Sequence, residues 1–236
     1  MRTTKLFLPF LLFCCISTLA QQVGIVVKYE ETFNPERAPK TAQGNMTPDE
    51  ILKLYLNYKS DKYLYCNNAV VAFGTNVINN RNKTIDLRSD LSANYRSLTD
   101  NVQIDVYGVC SSKFVIVDSV FDYQWDISPD AIRVVMGKQC QKAVFHSPDR
   151  LEGDVVAWFC PELPFQAGPL GYCGLPGLIL RLETRNFFYE AVSVEPITTT
   201  PKIKLPQSGQ KVSRTEFYES RIRILKEMNI DGAKII

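Results

Sequence analysis

The sequence predicts an α+β fold: a mainly antiparallel, curved β-sheet with a short N-terminal-half helix and a C-terminal helix. Three observations lead there. Short apolar and β-branched runs follow one another between residues 62 and 194, with most links too short for a crossover helix, so neighbouring strands are expected to run antiparallel. Residues 115–127 show the clearest alternation of apolar and polar side chains in the chain, the period of a strand with one buried face. Two capping boxes, Thr47-Pro48-Asp49-Glu50 and Ser213-Arg214-Thr215-Glu216, each open a helix.

Taken in order, residues 23–33 read as a first strand, rich in Val and Ile. Residues 34–44 carry two prolines and read as a loop. Thr47 caps a short helix with Pro48 in its first turn; Ile51, Leu52, Tyr55 and Leu56 form its apolar face, and it ends near Tyr58. Residues 64–73 are strand-like and 76–82 turn-like. In the alternating stretch Val115, Val117, Phe121, Tyr123, Trp125 and Ile127 fall on the face expected to be buried, in one strand or two in line. Asp118, Asp122, Gln124 and Asp126 fall on the wet face. Strand signals recur at 132–136, 143–146, 155–159, 178–183 and 187–194, and residues 196–210 form a loop. In the last helix Tyr218, Ile222, Leu225 and Met228 make a stripe expected to pack on the sheet.

The N-terminus predicts export. Arg2 and Lys5 precede an apolar run to Leu19, and Thr18-Leu19-Ala20 supplies the small residues that a signal peptidase reads before Gln21. The run is short of the roughly 20 residues a membrane-crossing helix needs. Residues 1–20 are therefore expected to be a signal peptide and residues 21–236 a single β-rich domain, with no transmembrane segment after cleavage. Cleavage takes the formal charge from +2 to zero, which argues against generic attraction to nucleic acid.

Two of the seven cysteines leave with the signal; Cys66, Cys110, Cys140, Cys160 and Cys173 remain. An oxidising compartment favours disulfides, and the odd number leaves one thiol over. Cys160 and Cys173 bracket a Pro- and Gly-rich loop and are the first choice for a bridge, whose closure would stabilise by about 3 kcal/mol. The alternative is that each is simply a buried small apolar residue.

That loop belongs to the most distinctive stretch, AWFCPELPFQAGPLGYCGLPGLILRLE, residues 157–183. Leu175-Pro176-Gly177-Leu178 suits a type II turn, with Gly177 taking the positive φ. Leu178, Leu180 and Leu182 then share one face of a strand. Such a loop must be covered by the rest of the domain or present an apolar ledge. A ledge would bind through Trp158, Phe159, Pro164, Gly168, Pro169, Gly174, Leu175, Pro176, Gly177 and Leu178.

Gly174-Leu175-Pro176-Gly177-Leu178-Ile179 is the motif after which the GLPGLI family is named, and the chain resembles that family of exported Bacteroidetes proteins. Trp125-Asp126-Ile127, Cys140-Gln141-Lys142-Ala143, Ala157-Trp158-Phe159, Glu162-Leu163-Pro164 and Gly168-Pro169 follow in the family's order, with residues 213–217 resembling its trailing helix start. The chain departs from the pattern at residues 137–139, where the family has Gly-Tyr, at Cys160, where Thr is usual, and at the extra Cys173. The resemblance implies location in the periplasm or in association with the outer membrane or cell surface. It implies no chemistry.

The residues point to a non-catalytic envelope protein that binds a hydrophobic ligand or partner, such as a lipid, a peptide or an outer-membrane protein, without a cofactor. The alternative is a thiol-dependent redox or metal-binding protein using Cys140 and His146, even-numbered positions on one strand, with a neighbouring Cys. His146 is the only histidine, so no paired-histidine zinc site can form. Asp118-Ser119-Val120 matches a short pattern at which exported Bacteroidetes proteins are O-glycosylated, with Ser119 as acceptor.

Overall fold

A computed structural model of the chain describes residues 23–38, 40, 45–75, 84–109, 111–148 and 153–227. The expected signal segment 1–20, the turn at 76–82, Cys110, the Leu225 side chain and Met228 lie outside what is described.

Strand β1 (Gly24–Phe33) is followed by helix α1 (Pro48–Asn57), β2 (Lys59–Cys66), β3 (Val70–Gly74), β4 (Thr84–Asp86), β5 (Ser92–Ser97), β6 (Val102–Val109) and β7 (Ser112–Asp118). Then come β8 (Trp125–Val135), β9 (Lys138–His146), β10 (Asp154–Cys160), β11 (Leu178–Glu183), β12 (Phe187–Ile197), β13 (Lys202–Lys204), β14 (Gln210–Val212) and α2 (Arg214–Glu227). Twelve strands form one sheet in the order β14-β7-β6-β5-β3-β2-β1-β12-β11-β10-β9-β8, while β4 and β13 form a separate parallel pair. Within the large sheet only β14 runs parallel to its neighbour, β7.

The main core gathers Val27 and Tyr29 of β1, Leu64 of β2, Phe73 of β3, Phe159 of β10 and Leu180 of β11, among others. A second core packs Tyr65, Ala72, Ala93 and Val106 against Ile85 and Leu87. The helices add little. Helix α1 has the expected capping box at Thr47 and Glu50, but buries only Ile51 and leaves Leu54 and Leu56 more than half exposed. In α2 the anchor is Phe217, joined by Tyr218 and Ile224, while Ile222 of the expected stripe is 43 % exposed.

These facts correct the expected class. The α+β arrangement with a curved sheet gives way to a mainly β fold on one large, open, mixed sheet. The physical reason is that neither helix offers a broad apolar face, so neither can act as a layer. The alternating stretch is also corrected. Its two parts are not one strand or two in line: they fall in β7 and β8, next to one end of the sheet and at the other, joined by residues 119–124. Val117 and Ile127 are 56 % and 44 % exposed, so the apolar set does not share a buried face.

Residues 161–177, between β10 and β11, have little regular structure yet are buried from Ala167 to Cys173 apart from half-buried Leu170. Their own backbone satisfies them: Leu163 N donates to Cys160 O (3.1 Å), Leu178 N to Leu163 O (2.9 Å) and Ile179 N to Ala167 O (2.9 Å). The type II turn expected at Leu175–Leu178 is not formed. Gly177 N donates to Leu175 O (2.8 Å), a γ-turn centred on Pro176, whose ring-fixed φ suits that geometry. The positive φ falls on Gly174 (88°) and Gly171 (80°), not on Gly177. Gly177 is needed for another reason: a Cβ there would sit 2.3 Å from the Cys160 carbonyl oxygen.

The two motif glycines should therefore respond differently to alanine. Gly177→Ala forces two backbones apart and should cost about 3 kcal/mol, at the upper end for overpacking. Gly174→Ala strains only its own φ, since the nearest atom to its added methyl is 3.9 Å away, and should cost about 1 kcal/mol. Urea unfolding midpoints of the two variants measure the difference; equal losses would contradict it.

Candidate functional site

Strands β5 and β6 carry an unusual face. Asn94 lies opposite Asp105 and Arg96 opposite Gln103, and all four are at most 4 % exposed. The apolar residues Ala93 and Val106 point the other way, into the second core. Asp105 is the hub of this polar face. Its Oδ1 accepts from Asn94 Nδ2 (2.8 Å), and its Oδ2 accepts from Gln103 Nε2 (2.6 Å) and from Arg214 of α2 (2.7 Å). Burial opposes the Arg214 charge, but the hydrogen bond and Coulomb attraction to Asp105 outweigh it and raise the guanidinium pKa. The Ser213–Glu216 capping box fixes the first turn of α2 and so aims Arg214.

Two side chains of this face remain unsatisfied. Arg96 donates through one terminal nitrogen to Tyr123 Oη (3.2 Å) and stacks over that ring at 5.4 Å, while its Nε and other terminal nitrogen have no hydrogen-bond partner among the described residues. Asn94 Oδ1 likewise has none. The two residues are two apart on one strand face, so about 7 Å separates them. A buried donor or acceptor without a partner costs about 1–3 kcal/mol, which makes such atoms informative.

Beside them lies a cavity of about 160 Å³. Asn94 and Asp105 form its polar end; Phe121, Tyr123, Phe145 and Tyr172 form much of its wall. The rings pack mostly edge-on or tilted, with Tyr123 5.0 Å from Phe145 and 4.9 Å from Tyr172. Burial pushes the Tyr123 hydroxyl pKa up, so it stays protonated. Leu170 also lines the cavity and holds φ 54° and ψ 19°, a left-handed conformation costly for leucine. Two wider depressions, about 520 and about 580 Å³, run along β1 and β12; none of their lining residues holds an unsatisfied buried side-chain atom among the described residues.

The expected ledge is mostly covered. Phe159, Gly168, Pro169, Leu175, Gly177 and Leu178 are buried, Trp158 is half-buried, and only Pro164, Gly174 and Pro176 are exposed. Far side chains hold the motif in place: Tyr29 Oη donates to Ile179 O (2.6 Å) and Trp125 Nε1 to Cys173 O (2.8 Å). The expected Cys160–Cys173 bridge is absent, and Cys66, Cys140, Cys160 and Cys173 are free, buried thiols. Burial pushes the Cys66 and Cys140 thiols up to about 12, which is opposite to what a nucleophilic thiolate needs. Cys140 and His146 stand about 20 Å apart along β9. Cys140 is buried, whereas His146 is exposed and bonded to Asp154 (2.9 Å), with Asp126 at 3.9 Å. Among the described residues no group of three or more His, Cys, Asp or Glu could hold a metal ion. Asp118 lies 3.7 Å from Arg214, Asp122 accepts from Gln124, and Ser119 is exposed.

No motif or cap marks the cavity's polar residues, and polar alternation on a strand by itself normally denotes a wet face. The signal was the composition of that face: Asn, Arg, Gln and Asp facing each other on adjacent strands, with no lysine.

Asp105→Asn replaces an acceptor of two hydrogen bonds at Oδ2 with an amide nitrogen or breaks the Asn94 contact instead. It should destabilise by about 3 kcal/mol in urea unfolding. A loss near zero would show that the network is dispensable. His146 gives a second readout, since its hydrogen bond to Asp154 raises its pKa above the usual value. The folded value exceeds the unfolded one, so the pair's stabilisation is complete below about pH 6.5 and is lost as pH rises through the folded pKa. In Asp154→Asn the imidazole midpoint, followed by proton NMR of the single histidine, should fall towards the unperturbed value; an unchanged midpoint would refute the pairing.

The model of a family described as a protein of unknown function (Porph_ging) matches residues 125–181, the stretch from Trp125 to Arg181 that includes the buried segment. No curated protein matches. Among solved structures the chain is similar to an uncharacterized conserved protein from Thermus thermophilus, at 7 % identity and a TM-score of 0.38, covering 83 % of this chain and 93 % of that one. Among the described residues no helix is long and apolar enough to cross a membrane.

Proposed function

We propose that the chain is an exported, non-catalytic protein of the GLPGLI group that binds a small molecule with an aromatic or apolar body and one polar group. The occupant sits in the cavity beside β5 and β6, walled by residues of the 119–124 link and of the 161–177 segment. The observation that carries this reading is an aromatic-walled cavity whose lining includes Asn94, the Oδ1 of which is buried and has no hydrogen-bond partner among the described residues. An amide N–H or a carboxylic acid O–H would donate to Asn94 Oδ1, and a cavity of about 150 Å³ is large enough for a benzene-sized ring. The left-handed Leu170 supports the same place, because strained backbone persists where the surrounding structure needs it. The N-terminal signal pattern and the hexapeptide motif support export to the periplasm or the outer-membrane surface.

Benzamide and phenol are suitable probes. Trp125 lies 6.0 Å from Tyr123 and 5.9 Å from Tyr172, so its emission should change saturably as benzamide fills the cavity. Benzamide should bind more tightly than phenol because its amide carries two N–H donors and a carbonyl acceptor on separate atoms, where phenol has a single hydroxyl. Ser92→Leu, which adds volume at the cavity wall, should weaken binding at least about tenfold with an unchanged far-ultraviolet spectrum. The reading fails if neither probe gives a saturable change, or if Ser92→Leu binds as well as the parent.

A further inference from the structure

The ladder between β9 and β10 pairs Phe159 with Gln141, and one more step in the same register sets Cys160 opposite Cys140. Residues directly opposite in an antiparallel pair share a face, with Cα atoms about 4.5–5.5 Å apart. That separation lies inside the roughly 4.4–6.8 Å window a disulfide requires. Both side chains are fully buried, and Cys160 is among the neighbours that raise the Cys140 thiol pKa. The other described thiols have different surroundings: Cys66 stands opposite Ile25 and Val71, and Cys173 lies against Arg96. Just outside the pair, Lys138 and Glu162 form an ion pair (3.2 Å) that draws the start of β9 to the chain leaving β10.

We propose that Cys140 and Cys160 are a disulfide site, closed across the β9–β10 ladder as the chain folds in the presence of a small-molecule disulfide. One protein thiolate attacks the small disulfide, forming a mixed disulfide and releasing one small thiolate. The second protein thiolate then attacks the protein sulfur of that mixed disulfide and releases the other. Two protein S–H bonds and one small-molecule S–S bond are lost; one protein S–S bond and two small-molecule S–H bonds form. The two electrons given up by the protein thiols reduce the small disulfide, and no other oxidant is needed. The exchange belongs to folding rather than to the finished protein, because the completed core leaves neither sulfur exposed. Cys160 is thereby committed to β9 and is not available to Cys173.

The test refolds the reduced, denatured chain in a mixture of reduced and oxidised glutathione and isolates the folded monomer. Free thiols are alkylated under denaturing conditions, and the protein is digested without reduction. Trypsin together with a glutamate-specific protease is needed, because cleavage after Glu162 separates Cys160 from Cys173. The expected product is peptide 139–142 joined to peptide 153–162, lighter than the sum of the two by two hydrogen atoms. A variant with Cys66, Cys110 and Cys173 changed to Ala, retaining only this pair after residue 20, should give the same joined peptides. Alkylated Cys140 and Cys160 in the folded monomer would overturn the proposal, as would a Cys160–Cys173 link in the parent chain.

Discussion

A proline- and glycine-rich segment can be buried only if its backbone finds partners away from water, and the rest of the structure is arranged around meeting that condition. Residues 161–177 do so partly among themselves, through turns closed on Cys160, Leu163 and Ala167. Side chains on distant strands add the Trp125 indole on the Cys173 carbonyl and, just past the segment, the Tyr29 hydroxyl on that of Ile179. Each of those donors stands on a strand that must be in register before it can reach its acceptor. The sequence segment with the least regular structure is thus held by strands on both sides of β12 in the sheet.

The polar face of β5 and β6 follows from the same burial. Once the 119–124 link and residues 170–172 lie over it, Asn94, Arg96, Gln103 and Asp105 cannot be solvated from that side. Asp105 is compensated by three donors, one of them carried in by α2. The helix contributes little apolar burial beyond Phe217, and its main electrostatic contribution is one guanidinium at its first residue. Arg96 has no comparable carboxylate partner, and its cation is met on one side by the face of Tyr123.

Much of the local structure was legible from the sequence. Capping boxes are short-range devices, and both formed where Thr47 and Ser213 place them. Many strand runs and the mainly antiparallel pairing were legible too, but residues 64–73 hold parts of two paired strands, β2 and β3, and β5 and β6 carried no reading. What escaped was anything set by contacts far apart in the chain. Alternation over residues 115–127 has the same period whether it lies in one strand or in two at different places in the sheet, so no local pattern separates these cases. The motif turn was misread for a different reason. Leu-Pro-Gly suits a type II turn by propensity, but the backbone passing at Cys160 demands a residue without Cβ at Gly177 and leaves the positive φ to Gly174. At the site, nothing local marks Asn94, Arg96, Gln103 and Asp105 as buried, because their cover comes from the 119–124 link and from residues 170–172.

The position of β1 has a temporal consequence. It lies between β2, which is close in sequence, and β12, whose residues 187–197 come almost at the end of the chain. During synthesis the first strand can zip to the second early, but its other edge stays open until nearly everything else has been made. Contacts spanning so much of the chain carry a large closure entropy and form late. The two halves of the sheet therefore cannot join along β1 and β12 in a half-made polypeptide, and that seam stays open until residues 187–197 have been made.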